Sequence, residues 1–232
     1  MESINANNIL FLDIETAPLV YKYSELQEPF KKLWDLKYQY NKEVSAEQQY
    51  SKAGIFAEFA KVICICVGYF NGKEFRLKSF YGHDEKILLN DFKEMLEKHY
   101  DKKEDRLCAH NGKEFDFPFL CRRFLINGIG LPAILDLQNK KPWDVPHLDT
   151  MEMWKFGDYK NYTSLNLLAA VFGIPTPKDD IDGSQVSRVY YEEKNLERIK
   201  TYCQKDVVTL AKLYLKMKAE QAFKDEQIVM TN

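Results

Sequence analysis

The sequence predicts an α/β or α+β domain built on a mixed sheet. Short apolar runs with strand character open the chain and return after long intervals. In the second half, stripes of helical period alternate with them, the pattern of helices packed on a sheet. The second and third strand-like runs are joined by Asn71-Gly72, a hairpin signal that makes that pair antiparallel. With 45% hydrophobic and 29% charged residues over 232 positions, the chain can bury a full core, and residues 1–232 are expected to form a single domain.

The elements follow in order. Ile9 to Ile14 is almost continuously apolar, broken by Asp13, which suits a strand buried on both faces. Thr16-Ala17-Pro18 is expected to end it. From about residue 21 to 59 the chain turns rich in Tyr, Lys, Gln and Glu, with apolar positions at Leu26, Phe30, Leu33 and Trp34. That predicts a helical insertion after the first strand. Lys61 to Phe70 is the second strand and Glu74 to Tyr81 its partner. Asp84 to Tyr100, apolar at 87, 88, 92, 95 and 96, carries a helical stripe. Asp101 to Asp105 is a charged surface loop, and Arg106 to His110 a short strand. Phe117 to Asn127 is a helix with Pro118 tolerated in its first turn and Gly128 at its end. Three prolines make Leu131 to Pro146 irregular, and His147 to Thr150 is a last short strand or strand end. A helix over Ser164 to Phe172 is capped by Thr163 or Ser164 and stopped by Gly173 and Pro175. Pro177 to Gly183 is a loop. The last long helix runs from about Leu196 to Lys218, and the tail over about 223–232 is expected to be loosely held.

Composition narrows the function classes. A net charge of −2 gives no global field for a polyanion, so a nucleic-acid partner would need a local patch or bound metal. The five cysteines are odd in number and lie mostly in apolar surroundings without a CxxC pair, as expected of buried, reduced thiols in a cytosolic protein. The opening residues lack a basic segment followed by a long apolar stretch, and no run reaches membrane-spanning length, so a cytoplasmic location is expected. No GxSxG, P-loop, HExxH or GxGxxG is present, and the four histidines lack metal-ligand spacing.

Four acids are the informative residues: Asp13 and Glu15 in FLDIET, Asp116 in HNGKEFDFPFL and Asp206 in YCQKDVV. Carboxylates in apolar surroundings are costly unless a positive group holds them. Converging oxygens without matching Arg or Lys point to a hard divalent cation, Mg²⁺ or Mn²⁺. Asp13 and Glu15, two apart on a strand, share one face with Cα atoms roughly 7 Å apart, while Ile14 faces the core. The competing structural reading is a pair of solvated turn acids. Asp116 suits a helix N-cap, yet Asn111, Phe115 and Asp116 at a strand-to-helix corner could also bind a nucleotide. Tyr202 and Asp206 lie one turn apart on a helix whose apolar stripe runs through Cys203, Val207 and Leu210. A boundary acid paired with Lys205 or Lys212 is the alternative there.

With these residues in hand, the chain resembles the DnaQ-like 3′–5′ exonucleases of the RNase H-like fold. FLDIET resembles their first motif, DxE. NGKEFD resembles the second, an Asn followed by an aromatic-Asp pair. Tyr202 to Asp206 resembles the third, YxxxD, of the branch with a tyrosine (DEDDy); Thr201 stands where the other branch has histidine. The likeness spans roughly residues 9 to 215 and is nearest to the proofreading domains of family B DNA polymerases, in stand-alone form. HLDTMEMW and IDGSQV also look like parts of that family. The resemblance implies an RNase H-like mixed β-sheet flanked by α-helices. It implies metal-dependent release of nucleoside 5′-monophosphates from a 3′ end, single-stranded DNA favoured and RNA the alternative. It also implies two divalent cations held by Asp13, Glu15, Asp116 and Asp206, with Asp13 bridging them and Tyr202 orienting the attacking water. Thr16, Asn111 and Phe115 would meet the terminal nucleotide. Arg122, Arg123, Lys140, Lys141 and Arg188 are candidates for phosphate contacts, or equally a solvated surface. A HAD-type phosphatase fits poorly, because the second acid is Glu15 and Ala17 stands four after Asp13. A non-cleaving binding module is disfavoured by the full set of acids.

Overall fold

Among the residues described by the computed structural model (5–41, 43–158, 162–175 and 181–231), six strands form one mixed sheet. They are β1 (Ile9–Pro18), β2 (Ala60–Asn71), β3 (Glu74–Tyr81), β4 (Arg106–Ala109), β5 (Leu148–Asp149) and β6 (Ile228–Met230), in the spatial order β5-β4-β1-β2-β3-β6. β1 is central, antiparallel to β2 and parallel to β4. Parallel β5 extends the sheet beyond β4, and parallel β6 covers the far edge of β3.

The helices are α1 (Phe30–Tyr38), α2 (Ala46–Gln49), α3 (Glu85–His99), α4 (Asp116–Ile126), α5 (Thr150–Lys155), α6 (Leu165–Val171), α7 (Val186–Arg188) and α8 (Leu196–Met217). A π turn, Val189–Glu193, follows α7. Strand alternation splits β1 between two cores. Leu10, Leu12 and Ile14 pack with Leu88 and Phe92 of α3 and with Phe117 and Phe124 of α4. Ile9 and Phe11 pack with Val207, Leu210 and Tyr214 of α8. Helix and sheet approach closely at Gly68, where a Cβ would lie 2.8 Å from Val207 and 2.3 Å from the Phe75 ring. The insertion is helical, as predicted, and has its own small core of Trp34, Tyr50 and Phe59. No described helix is long and apolar enough to cross a membrane.

Three details differ from expectation. β1 does not end at Thr16: it continues to Pro18 through a bulge between Glu15 and Thr16, with Thr16 and Ala17 paired to Val62 and Lys61. Proline is compatible with that last position because it need not donate to the ladder. The hairpin turn falls one residue later than its signal, on Gly72-Lys73, with Asn71 and Glu74 as the closing pair and Gly72 at φ 62°. The tail is not loose. Phe223 stacks on Phe75 with ring centroids 4.4 Å apart, and β6 pairs with Phe75–Leu77. The Thr231 N–H then donates to the Leu77 carbonyl at 2.7 Å. Part of the loop expected over Pro177 to Gly183 lies outside the described residues.

Candidate active site

The first two acids owe their place to the register of β1. Asp13 lies across from Cys66 and Glu15 across from Cys64, on the face that carries Ile9 and Phe11 towards α8. β4 pairs with β1 only as far as Phe11. Beyond that point the edge of β1 is open, and the chain leaving β4 turns into α4 beside it. Asp116, the first residue of α4, is buried there and hydrogen-bonds the backbone at Ile14. Phe115, not Asp116, occupies the N-cap position.

α8 supplies the other side. Its N-cap, Asn195, accepts from the Arg198 N–H at 3.1 Å. The buried stripe Ile199, Cys203, Val207 and Leu210 fixes the rotation of the helix against the sheet. That rotation sets Tyr202 and Asp206, both half-buried, beside the β1 acids. The Tyr202 hydroxyl hydrogen-bonds Asp206.

The four acids brought together from three stretches repel one another. Burial, then Glu15, Asp206 and Asp116, hold the Asp13 carboxyl well above the usual carboxylate range. Burial, then Asp206, Cys66 and Asp116, do the same to Glu15. Burial pushes Asp116 up to about 7, with Asp149 adding to it and backbone N–H groups opposing it. Burial and then Asp206 raise the Tyr202 phenol well above its ordinary value. The charges acting on Asp13 and Glu15 are acids and thiols, not Lys or Arg. Asp13 Oδ2 is buried without a hydrogen-bond partner. An all-oxygen donor set, mutually repelling and with one orphaned oxygen, fits a hard divalent cation.

The corner between β4 and α4 is tight. Asn111 sits at φ 64°, and a Cβ on Gly112 would lie 2.3 Å from Ala109 Cβ. Sequence reasoning gave no role to the residue that holds this corner, Asp149. Its buried carboxylate accepts from the N–H groups of Asn111 at 2.9 Å, Lys113 at 3.1 Å, Met151 at 2.9 Å and Glu152 at 3.3 Å. The available signal was an acid between a short strand and a helical pattern, an N-cap signature. With its backbone fixed, Asn111 keeps a buried Oδ1 that has no partner. Phe115 is half-buried against Phe119, with centroids 5.4 Å apart. Thr16, at the bulge, donates its hydroxyl to the Gly54 carbonyl at 2.7 Å and so ties β1 to the insertion.

Of the basic candidates, Arg122 and Lys140 line a cleft of about 500 Å³ that includes Asn111 and Asp149. Lys113 and Lys155, not foreseen for this role, line it too, with Lys113 paired to Glu152 at 2.6 Å. Lys141 lies over the Trp143 ring, and Arg188 pairs with Glu193 at 2.5 Å. Arg123 is a correction. It is 4% exposed, bound to Glu85 at 2.5 Å and donating to the Ala57 carbonyl at 2.8 Å, so it cannot reach a phosphate. The helix face it occupies is turned into the core, which its charge alone did not reveal. His110 and His147 are structural, bonded to Thr150 and to the Leu107 N–H respectively.

Residues 55–230 match a family described as a predicted 3′–5′ exonuclease related to the exonuclease domain of PolB. Among solved structures, the family B DNA polymerase of the hyperthermophilic archaeon Pyrobaculum calidifontis superposes on 94% of this chain with a TM-score of 0.51 and 15% identity. The chain spans only 26% of that polymerase. The RNase domain of the yeast Pop2 protein aligns with 87% of this chain and 77% of its own, at a TM-score of 0.39 and 13% identity. No curated protein sequence matches. The mixed sheet with flanking helices is the RNase H-like architecture.

Proposed function

This chain belongs to the family of predicted 3′–5′ exonucleases related to the exonuclease domain of PolB, and from that premise we propose that it removes nucleotides from the 3′ end of single-stranded DNA as nucleoside 5′-monophosphates. The observation that carries the proposal is the convergence of four acids, one with an orphaned buried oxygen, beside a tyrosine one helical turn from the last of them.

Asp13, Glu15, Asp116 and Asp206 would hold two Mg²⁺ or Mn²⁺ ions. When bound, the ions would stabilise charge on the attacking and leaving oxygens. Tyr202, whose burial keeps its proton in place at neutral pH, donates a hydrogen bond that orients the attacking water or the scissile phosphate rather than acting as a base. Asn111 Oδ1 and the Phe115 ring would position the terminal nucleotide, and Thr16 would meet its sugar through the backbone at the bulge. Arg122 and Lys140 would follow the strand along the cleft by contacting its phosphates. The relation to a polymerase exonuclease domain supports DNA over RNA.

The test is a digestion series on 5′-labelled single-stranded DNA and RNA of equal sequence with Mg²⁺ or Mn²⁺. A ladder shortening from the 3′ end of DNA is expected, abolished by EDTA. Asp13→Ala and Asp206→Ala should each lower the rate by about a thousandfold, since several kcal/mol of charge stabilisation is lost. Undiminished activity in either variant, or release of inorganic phosphate instead of nucleotide, sinks the assignment.

A further inference from the structure

Behind the acids lie three thiols that the proposed hydrolysis does not use. Cys64 and Cys66 stand two apart on β2, directly across from Glu15 and Asp13, and Cys203 comes down on them from α8. All three are 0% exposed. Their sulfurs lie within 4.8 Å of one another, with Cys64 Sγ and Cys66 Sγ 3.6 Å apart. A tetrahedral ion with metal–sulfur bonds of about 2.3 Å sets its sulfurs about 3.8 Å apart. The pair on β2 already has that spacing, and Cys203 needs only a small side-chain adjustment.

Two further observations point to a ligand. Gln204 Nε2 donates to Ser79 Oγ at 2.8 Å, and Ser79 Oγ lies 3.1 Å from Cys66 Sγ. The amide occupies one hydroxyl lone pair, which leaves the hydroxyl proton free to be directed at the sulfur, the kind of outer contact that steadies a ligating thiolate. Cys203 Sγ also lies within 4.8 Å of carboxylate oxygens of Asp13 and Glu15. A fourth, oxygen ligand is therefore adjacent. Cys203 Sγ, which donates to the Asp13 carbonyl at 3.3 Å, would exchange that bond for the metal.

We propose that Cys64, Cys66 and Cys203 form a site for a thiophilic cation such as Zn²⁺ or Cd²⁺, completed by Glu15 or Asp13, and that filling it shuts the neighbouring hydrolytic centre. Soft sulfur ligands select against Mg²⁺, which keeps the two sites chemically distinct. Each thiol loses its proton as it ligates. A carboxylate drawn to the soft ion is withdrawn from the hard ones. The inhibitory half rests on the hydrolytic reading above; the binding half does not.

The experiment uses the full reduced chain, stripped with chelator and titrated with Cd²⁺ in excess Mg²⁺. Thiolate-to-cadmium charge-transfer absorbance saturating at one equivalent is expected, with a ¹¹³Cd NMR shift typical of mixed sulfur and oxygen ligation and loss of nuclease activity over the same range. Cys66→Ser should weaken Cd²⁺ binding about tenfold or more and move half-inhibition with it. The NMR shift on the unaltered chain needs no variant to fold. An oxygen-only shift or no charge-transfer band overturns the site, even if Cd²⁺ inhibits. A saturated thiolate band with unchanged nuclease activity overturns the inhibitory half. A clean band on a chain that cleaves no nucleic acid supports the site while the hydrolytic reading fails.

Discussion

Asp116 is a carboxyl held at 4% exposure in the first turn of α4, facing other acids. Its proton affinity is raised to about 7 chiefly by burial, so it works against folding once ionised in the metal-free chain. Asp116→Asn keeps an acceptor for the backbone at Ile14 and removes that charge. We expect the variant to be catalytically dead yet to melt a few degrees higher than the parent in EDTA at pH 8, at about 2–4 °C per kcal/mol. Calorimetry of both proteins decides it, and a lower melting temperature for the variant counts against the electrostatic account. The same scale shows what sequence made legible. DxE on an apolar strand and YxxxD on an amphipathic helix marked four residues that the fold gathers. Asp149 was not foreseen because its work is done on backbone N–H groups nearly forty residues upstream, a relation without a sequence period. Arg123 was misjudged because a surface arginine and a buried ion-paired one look alike in sequence.

At the scale of elements, periodicity located the long helices, the Asn71-Gly72 turn signal located the β2–β3 hairpin, and a change of composition with scattered apolar positions marked residues about 21–59 as helical. It failed where an element is short and held by partners far away. β6 has three residues and no pattern of its own; β3, about 150 positions earlier, gives it an edge to pair with. Phe223 anchors that arrangement, 9% exposed, stacked on Phe75 and edge-on to Phe70. Phe223→Ala should cost about 3 kcal/mol, roughly 10 °C in melting temperature, with metal-supported activity retained in the cold. Thermal melts of the two proteins test this; an unchanged melting temperature would show that the tail contributes nothing to stability. The bulge between Glu15 and Thr16 was equally invisible, since it is a local slip in pairing that Thr16-Ala17-Pro18 resembles a strand end closely enough to conceal.

For the molecule as a whole, the acids couple stability to pH and to metal. Asp13, Glu15 and Asp116 bind protons more tightly folded than unfolded. Their contribution is complete below the unfolded carboxylate values of about 4 and is lost as pH rises through the folded ones, near 7 for Asp116. In the proposed site divalent cations would take the place of those protons, so the rise in melting temperature on adding Mg²⁺ or Mn²⁺ should widen steadily from pH 5.5 to 8.5. Differential scanning fluorimetry with and without EDTA measures it; a pH-independent rise would contradict the carboxylates as the binding groups. The sheet order has a consequence in time. β1 is made before α8, so its acids meet that helix only after residue 206 has left the ribosome, and the β3 edge is covered only by residues 228–230. A nascent chain therefore carries no assembled centre until α8 has been made.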